Sequence, residues 1–336
     1  MRISNDMAIL STQRVLTLDY WKLARDINPG DIVFDRLGNP VKVKLVQQFL
    51  SSHCYRVHFN DGTAVEGDVN LKLLIETPKY RTRTYTYKGV HKFRRPLVNK
   101  SAQDLSQEPL VTKRNRKKFS VPTTTAVNFP TQPLPVPPFL FGFWLFNKRA
   151  DHTMKPPADY IEFLEQKFKD NGYKLTWRHD SARHHRVYFA YPSIVSHLVP
   201  NIPNKIPDNY LFASAEQRQE LLSGILHSKS RLYNKNKKQF RFTSQNYHQV
   251  RQVQNLAESL GCKTNIETNR INKTYSLIIR TKLKLMEDQE PDKIRVHQNR
   301  RYISEIEKIK PQACVFIETD GPDKSFLVEE GFIACL

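Results

Sequence analysis

The sequence predicts an α+β protein, an all-β module joined to a duplicated α/β core with antiparallel sheets. Three observations predict it. Short alternating runs separated by turn residues occupy residues 8–77. A helix–strand–strand pattern recurs roughly eighty residues apart in the middle of the chain. The charge also shifts abruptly between these regions. With 336 residues, 39% hydrophobic and 11% aromatic, the chain has apolar material for two cores of ordinary domain size.

The first region reads as β-hairpins. Val33-Phe34-Asp35-Arg36-Leu37-Gly38-Asn39-Pro40 is a turn cluster, followed by the alternating run Val41-Lys42-Val43-Lys44-Leu45-Val46. Cys54-Tyr55-Arg56-Val57-His58-Phe59 and the turn Asn60-Asp61-Gly62 continue the pattern. Residues 78–120 mix Arg and Lys with Tyr85, Tyr87 and Phe93, then run through Lys113-Arg114-Asn115-Arg116-Lys117-Lys118, which predicts an extended basic arm. Residues 121–138 hold six of the twenty prolines and predict a linker.

Helices enter next. Pro137 to Leu145 predicts a buried helix with proline in its first turn. Ala158–Asp170 places Tyr160, Ile161, Phe163, Leu164 and Phe168 on one helical stripe that ends near Asn171-Gly172. Tyr173–Arg178 and Arg186–Tyr191 read as paired strands. Ser214 is an N-cap for a helix over Ala215–Leu226. A basic hairpin (Arg231–Thr243), a helix (Gln245–Leu260) capped by Gly261, and strands Lys263–Asn269 and Thr274–Arg280 follow.

Charge is unevenly placed. Residues 1–77 are net neutral, residues 78–120 carry +11, residues 121–300 carry +12 and residues 301–336 carry −3, within a total of +20. A basic body between neutral or acidic ends points to a polyanion partner; the plainer alternative is solvated Lys and Arg serving solubility. No apolar run reaches the ~18–20 residues of a membrane span, and Met1–Gln13 lacks a signal-peptide pattern. Cys54, Cys262, Cys314 and Cys335 are widely spaced without a CxxC. A disulfide scaffold and a cysteine zinc module are therefore not expected, and a reducing cytoplasm fits.

The order of a β-rich module, a duplicated α/β middle and a β return ending in Phe326-Leu327-Val328-Glu329-Glu330-Gly331-Phe332-Ile333 resembles a known family. It is similar to inteins of the phage terminase and helicase type, in which a LAGLIDADG (DOD-type) homing endonuclease is inserted into a Hint splicing domain. Leu16-Thr17, Trp21 and Ile27-Asn28-Pro29-Gly30-Asp31-Ile32-Val33-Phe34-Asp35 resemble the first Hint block. Leu134-Pro135-Val136-Pro137-Pro138-Phe139, leading into residues 140–148, resembles the first LAGLIDADG helix. Ile206-Pro207 through Gln217-Arg218, leading into residues 222–230, resembles the second. The domains implied are a Hint-like module (8–77 and 296–336), a basic arm and Pro-rich linker (78–134), and a LAGLIDADG-like domain (135–290, repeats about 135–195 and 206–285). A duplicated core of this kind is its own pseudo-dimer, so the expected state is a monomer.

The resemblance also says where catalytic groups would stand. The intein nucleophile falls at Ala8, the block-B histidine at Leu71, and Leu336 takes the slot of the terminal His, with no Asn following. The metal-binding carboxylates of the two core helices fall at Asn147 and Lys229, a neutral amide and an ammonium; hard divalent cations want carboxylate oxygens. Asp151 is the one acidic residue near the first helix. On this pattern the protein is expected not to be an enzyme, with both splicing and cleavage degenerate. No cofactor is expected and no metal, since adjacent His184 and His185 would point to opposite faces of a strand.

What the resemblance retains concerns packing and binding. Gly142 and Gly224 let the core helices approach, and Phe141, Phe143, Trp144, Leu222, Ile225 and Leu226 are their apolar faces. The family's DNA-facing surface is a saddle of β-ribbons, which fit the major groove. The matching residues are Lys174, Arg178, Arg183, His184, His185 and Arg186 in the first repeat. In the second they are Lys229, Arg231, Lys235, Lys237, Lys238, Arg241, Arg270, Lys273 and Arg280, with Arg114, Arg116 and Lys117 of the arm adding phosphate contacts. The expected partner is double-stranded DNA, with reuse as a phage transcription or replication factor that recruits a polymerase or other phage protein, and no membrane. The alternatives are an active homing endonuclease, a single-strand or RNA binder stacking bases on Tyr85, Tyr87 and Phe93, and a protein adaptor or virion component.

Overall fold

The computed structural model describes residues 7–78, 97–147, 153–154, 161–173, 176–180, 185–189, 205–229, 239–286, 300–329 and 331–336. For 153–154, 176–180, 185–189 and 229 it describes the backbone alone. The chain divides into two compact units, one drawn from residues 1–128 and 296–336, the other from 129–295.

The first stretch of chain forms β1 (Ala8–Leu10), β2 (Arg14–Leu16), β3 (Trp21–Leu23), β4 (Ile32–Phe34), β5 (Pro40–Ser51), β6 (Cys54–Phe59), β7 (Ala64–Asp68), β8 (Lys72–Ile75), β9 (Val98–Ser101), α1 (Ala102–Ser106) and β10 (Ser120–Pro122). The middle forms α2 (Pro138–Asn147), β11 (Thr153–Met154), α3 (Ile161–Asp170), β12 (Thr176–Asp180), β13 (His185–Phe189), α4 (Asp208–Leu211), α5 (Ala215–Lys229), β14 (Phe240–Ser244), α6 (Tyr247–Ser259), β15 (Lys263–Asn269) and β16 (Thr274–Arg280). The return adds β17 (Arg300–Ile309), β18 (Gln312–Thr319), β19 (Phe326–Val328) and β20 (Ile333–Cys335).

The β unit has an eight-stranded sheet in the order β10-β17-β6-β7-β1-β18-β5-β4 and a six-stranded sheet in the order β3-β2-β19-β20-β8-β9. All four return strands lie inside these sheets, so neither stretch of chain completes the unit alone. Alternation builds the faces: Val41 and Val43 of β5 are buried while Lys42 and Lys44 are exposed. The turn before β5 closes as its residue types predict. Asp35 Oδ1 accepts from the N–H groups of Leu37 (2.9 Å) and Asn39 (2.8 Å), and Gly38 sits at φ 77°. A Cβ at Gly38 would lie 2.1 Å from the Ala126 carbonyl oxygen, so only glycine fits.

Two expectations are corrected here. Residues 97–120 were expected to extend as an arm; instead they fold into the β unit as β9, α1 and the start of β10. Ala102, Leu105, Phe119 and Val121 supply enough apolar surface to be buried in its core. Two of the arm's cations are paired locally, because Lys100 and Lys118 share the Glu108 carboxylate. The Pro-rich stretch is likewise not a free tether over its first part: Asn128 N–H donates to Gly38 O (2.8 Å) and the Thr125 hydroxyl to Leu37 O.

In the α/β unit, β11-β13-β12 and β14-β16-β15 form two three-stranded antiparallel sheets. Local signals position the helices well. Ser214 and Gln217 form a reciprocal N-terminal cap for α5, with Gln217 N–H to Ser214 Oγ (3.4 Å) and Ser214 N–H to Gln217 Oε1 (3.2 Å). The Asn246 side chain caps α6 by accepting from His248 and Gln249 N–H groups. The α2 helix is buried at every residue from Pro138 to Phe146, as an apolar helix without a polar face must be.

Candidate nucleic-acid interface and paired-helix centre

The α/β unit is organised by the α2–α5 contact, and two glycines set its closeness. A Cβ on Gly142 would stand 2.4 Å from Leu221 O, and one on Gly224 would stand 2.1 Å from Phe139 O. Each glycine thus faces the carbonyl three residues before the other, a two-fold relation that fits an internal duplication. Aromatic side chains lock the pair from outside: Phe141 stacks on Tyr210 (4.3 Å), and Phe146 meets Phe242 edge-on (5.2 Å). Burial raises the Tyr210 phenol above its ordinary range, and its hydroxyl donates to Val136 O (2.8 Å).

Behind α5, Arg218 is fully buried and donates to Ala213 O (2.8 Å) and Ser259 O (2.8 Å), with Phe129 beneath the guanidinium (4.9 Å). Burial pushes its pKa down to about 9. Its contact with Ser259 O satisfies a carbonyl in the last turn of α6, tying two helices together. Nothing in the local sequence around Arg218 announced this role, since its hydrogen-bond partners lie up to 41 residues away.

The paired helices end at Asn147 and Lys229. Asn147 is half-buried, and its Nδ2 is shielded from solvent without a hydrogen-bond partner among the described residues. An amide at one helix end and a lysine position at the other are a poor donor set for the hard divalent cation that the family resemblance implies. Asp151 lies outside the described residues.

The basic residues expected to bind DNA are distributed as follows. Lys174, Arg183, His184, Arg231, Lys235, Lys237 and Lys238 lie outside the described residues. Arg178 and Arg186 stand on the paired strands β12 and β13, opposite Val187 and His179 respectively; His185 stands opposite Asp180. On the second sheet, Arg270 and Lys273 are exposed at the tip of the β15–β16 hairpin. The hairpin tip is braced by Asn269 Oδ1, which accepts from Ile271 (3.0 Å) and Asn272 (3.2 Å) N–H groups, and Lys273 adopts φ 47°. Arg280 is half-exposed at the other end of β16. Arg241 differs from the expectation of a free cation: its guanidinium ion-pairs with Glu267 (3.2 Å). Arg114, Arg116 and Lys117 belong to the β unit, not to the unit of the ribbons.

Three further positions singled out by sequence converge in the β unit. Ala8 is fully buried, and a Cβ on Gly67 would stand 2.3 Å from Ala8 O and 3.1 Å from the Leu71 side chain. Leu336 N–H donates to Lys72 O (3.3 Å), one residue further on. Asp68 is the polar group that the sequence did not single out: its buried carboxylate accepts from Ala8 N–H (3.1 Å) and Asn70 N–H (3.1 Å). Beside them, Cys335 is fully buried, and burial raises its thiol well above the ordinary range, which keeps it protonated.

The fold is therefore a two-stretch β unit interrupted by a unit built on paired helices, the order in which the sequence resembles inteins that carry a homing endonuclease. No family model matches the chain. It is 23% identical over 342 residues to the replicative DNA helicase DnaB of Mycobacterium intracellulare, covering 93% of this chain and 55% of that protein, so it spans about half the length of this curated relative. Among solved structures it is similar to the Msm DnaB1 intein splicing domain bound with zinc, at 28% identity over 27% of this chain and 81% of that one, with a TM-score of 0.20. It is also similar to the homing endonuclease I-DmoI in complex with DNA and Mn, at 12% identity over 43% of this chain and 89% of that one, with a TM-score of 0.30.

These relatives correct the expectation of a non-enzyme. The proteins that the chain resembles are splicing inteins and homing endonucleases, so its relatives are enzymatic. The residues at Ala8, Leu71, Leu336, Asn147 and Lys229 record departures from a motif, and such departures do not by themselves establish inactivity.

Proposed function

We propose that the protein binds double-stranded DNA through the antiparallel ribbons of its α/β unit. In this reading it is a factor descended from an intein-borne homing endonuclease, and it serves transcription or replication of a phage. The observation that carries the reading is the β15–β16 ribbon, which presents Arg270 and Lys273 at an exposed, internally braced tip within a net-basic stretch of the chain. A two-stranded ribbon matches the width of the major groove, and cations at its tip give phosphate contacts and base-edge donors. Leu277 and Ile279 on one face of β16 and Ile278 on the other are all buried, which fixes the ribbon to the unit's core.

The test is binding of the purified protein to duplex DNA, single-stranded DNA and RNA across a salt series, with Mg²⁺ and Mn²⁺ lanes for cleavage. Salt-sensitive preference for duplex, weakened by Arg270→Ala with Lys273→Ala, supports the reading. A preference for single strands or RNA would refute it. Cleavage in the metal lanes would make the protein a working endonuclease whose metal ligands are not the residues at 147 and 229.

A further inference from the structure

We infer that the Thr112–Arg116 turn of the β unit is a second, preorganised contact for the phosphodiester backbone of duplex DNA, separate from the ribbons of the α/β unit. This rests on the DNA-binding reading above and adds a site on the other unit. The turn is tightly built. Val111 and Lys117 pair across its base, and Lys118 N–H donates to Leu110 O (2.7 Å). Thr112 N–H donates to Arg116 O (2.8 Å), Asn115 N–H to Thr112 O (2.9 Å) and Arg116 N–H to Thr112 Oγ1 (3.2 Å). Asn115 closes the loop at φ 54°, in the left-handed region that Asn tolerates best after Gly. Lys113, Arg114, Arg116 and Lys117 are all exposed on it.

Two features distinguish this turn from a surface charged for solubility. Its base is anchored by Phe119, which is 1% exposed, and by Lys118, which points back to Glu108 and over the Phe119 ring (4.6 Å). Glu108 is engaged by both Lys100 and Lys118, and those hydrogen bonds hold its carboxyl below the ordinary range. The nearest acid in the segment is therefore spent inward, and Lys113, Arg114 and Arg116 have no ion pair among the described residues. Solubility charge is usually dispersed. Here residues 1–77 are net neutral and residues 301–336 carry −3, so the positive charge of this part of the chain is concentrated in residues 78–120. A rigid turn carrying uncompensated cations loses little backbone entropy on binding, and a guanidinium can grip a phosphate through two N–H donors. Such contacts position a duplex without reading its sequence.

The test uses the full chain with Lys113→Ala, Arg114→Ala and Arg116→Ala combined, beside the wild type and the Arg270→Ala/Lys273→Ala ribbon variant. Each lost phosphate contact reduces the slope of log K against log salt by about 0.9, so three reduce it by about 2.7. Between 50 and 200 mM salt the wild type then loses about 40-fold more affinity than the turn variant. The weakening should be equal on unrelated duplex sequences, with the melting temperature unchanged because the three side chains are exposed. If the wild type binds duplex and the turn variant keeps the same affinity and salt slope, the inference is overturned while the ribbon reading stands. A loss confined to one target sequence would also overturn it, since that is base reading. Failure of the wild type itself to bind duplex would overturn the ribbon reading and this one together.

Discussion

Replacing Gly224 by alanine tests the centre of the α/β unit directly. The new Cβ would sit 2.1 Å from Phe139 O and 2.9 Å from both Phe139 C and Phe143 N. A carbon–oxygen contact relaxes only at about 3.3 Å, so α2 and α5 must part by about 1 Å. All three clashing atoms belong to the backbone, so no side-chain rotation relieves them. Overpacking of this kind costs about 1–3 kcal/mol, and separating two packed helices also forfeits part of the dispersion along the seam. Alanine returns about 1 kcal/mol of helix propensity. The balance is a loss of about 2 kcal/mol, or about 4–8 °C in melting temperature for a unit of this size. Thermal denaturation followed by the fluorescence of buried Trp144 reads it. Gly142→Ala should behave alike, with a Cβ 2.4 Å from Leu221 O. The double variant should fall short of the sum, because the first substitution has already opened the seam. A Gly224→Ala protein as stable as wild type, or more so, would refute the close contact, since propensity alone would then decide the outcome.

Other expectations follow from single contacts. Asp61 and Arg301 form a buried ion pair at 2.8 Å, each side chain 2% exposed, joining the first stretch of the β unit to its return. Asp61→Asn should cost about 3–5 kcal/mol by removing the carboxylate charge paired with a buried guanidinium, seen as a lowered melting temperature of that unit. Glu108 is held below the ordinary carboxyl range by hydrogen bonds from Lys100 and Lys118. Its contribution to stability is therefore complete above the unfolded value and is lost as pH falls through the lower folded one. Amide protection factors in residues 97–119 should fall as the pH drops through and below the ordinary carboxyl range, and Glu108→Gln should remove that dependence. All four cysteines are buried, with Cys262 pushed up to about 12 by burial, so a thiol reagent at pH 8 should label the protein only after denaturation. Rapid labelling of the native protein would contradict the packing around them.

Much of the local structure was legible because its causes are local. The strands Lys263–Asn269 and Thr274–Arg280, the cap at Ser214, and the turn at Gly38 depend on residues within a few positions of one another. The fold class was legible from the same local patterning aided by the repeat, whereas the pairing of the helices at Gly142 and Gly224, far apart in sequence, was implied by the family resemblance. Of the binding surface, residue types were readable but availability was not: Arg241 looked like a free cation until Glu267 proved to be its partner.

The sequence alone determined where many of the helices and strands form, that the middle is duplicated, and where the positive charge concentrates. Tertiary structure decided the rest. It placed β18 between β1 and β5, folded residues 97–120 into the β unit, tied Arg218 to the end of α6, and set Asp68 against Ala8. These outcomes depend on partners separated by tens to hundreds of residues. Burial and hydrogen-bond satisfaction choose such partners only once the chain has closed on itself. A side chain's type is written in the sequence, but whether it stays exposed, is paired, or is spent on the core is settled by what the fold brings beside it.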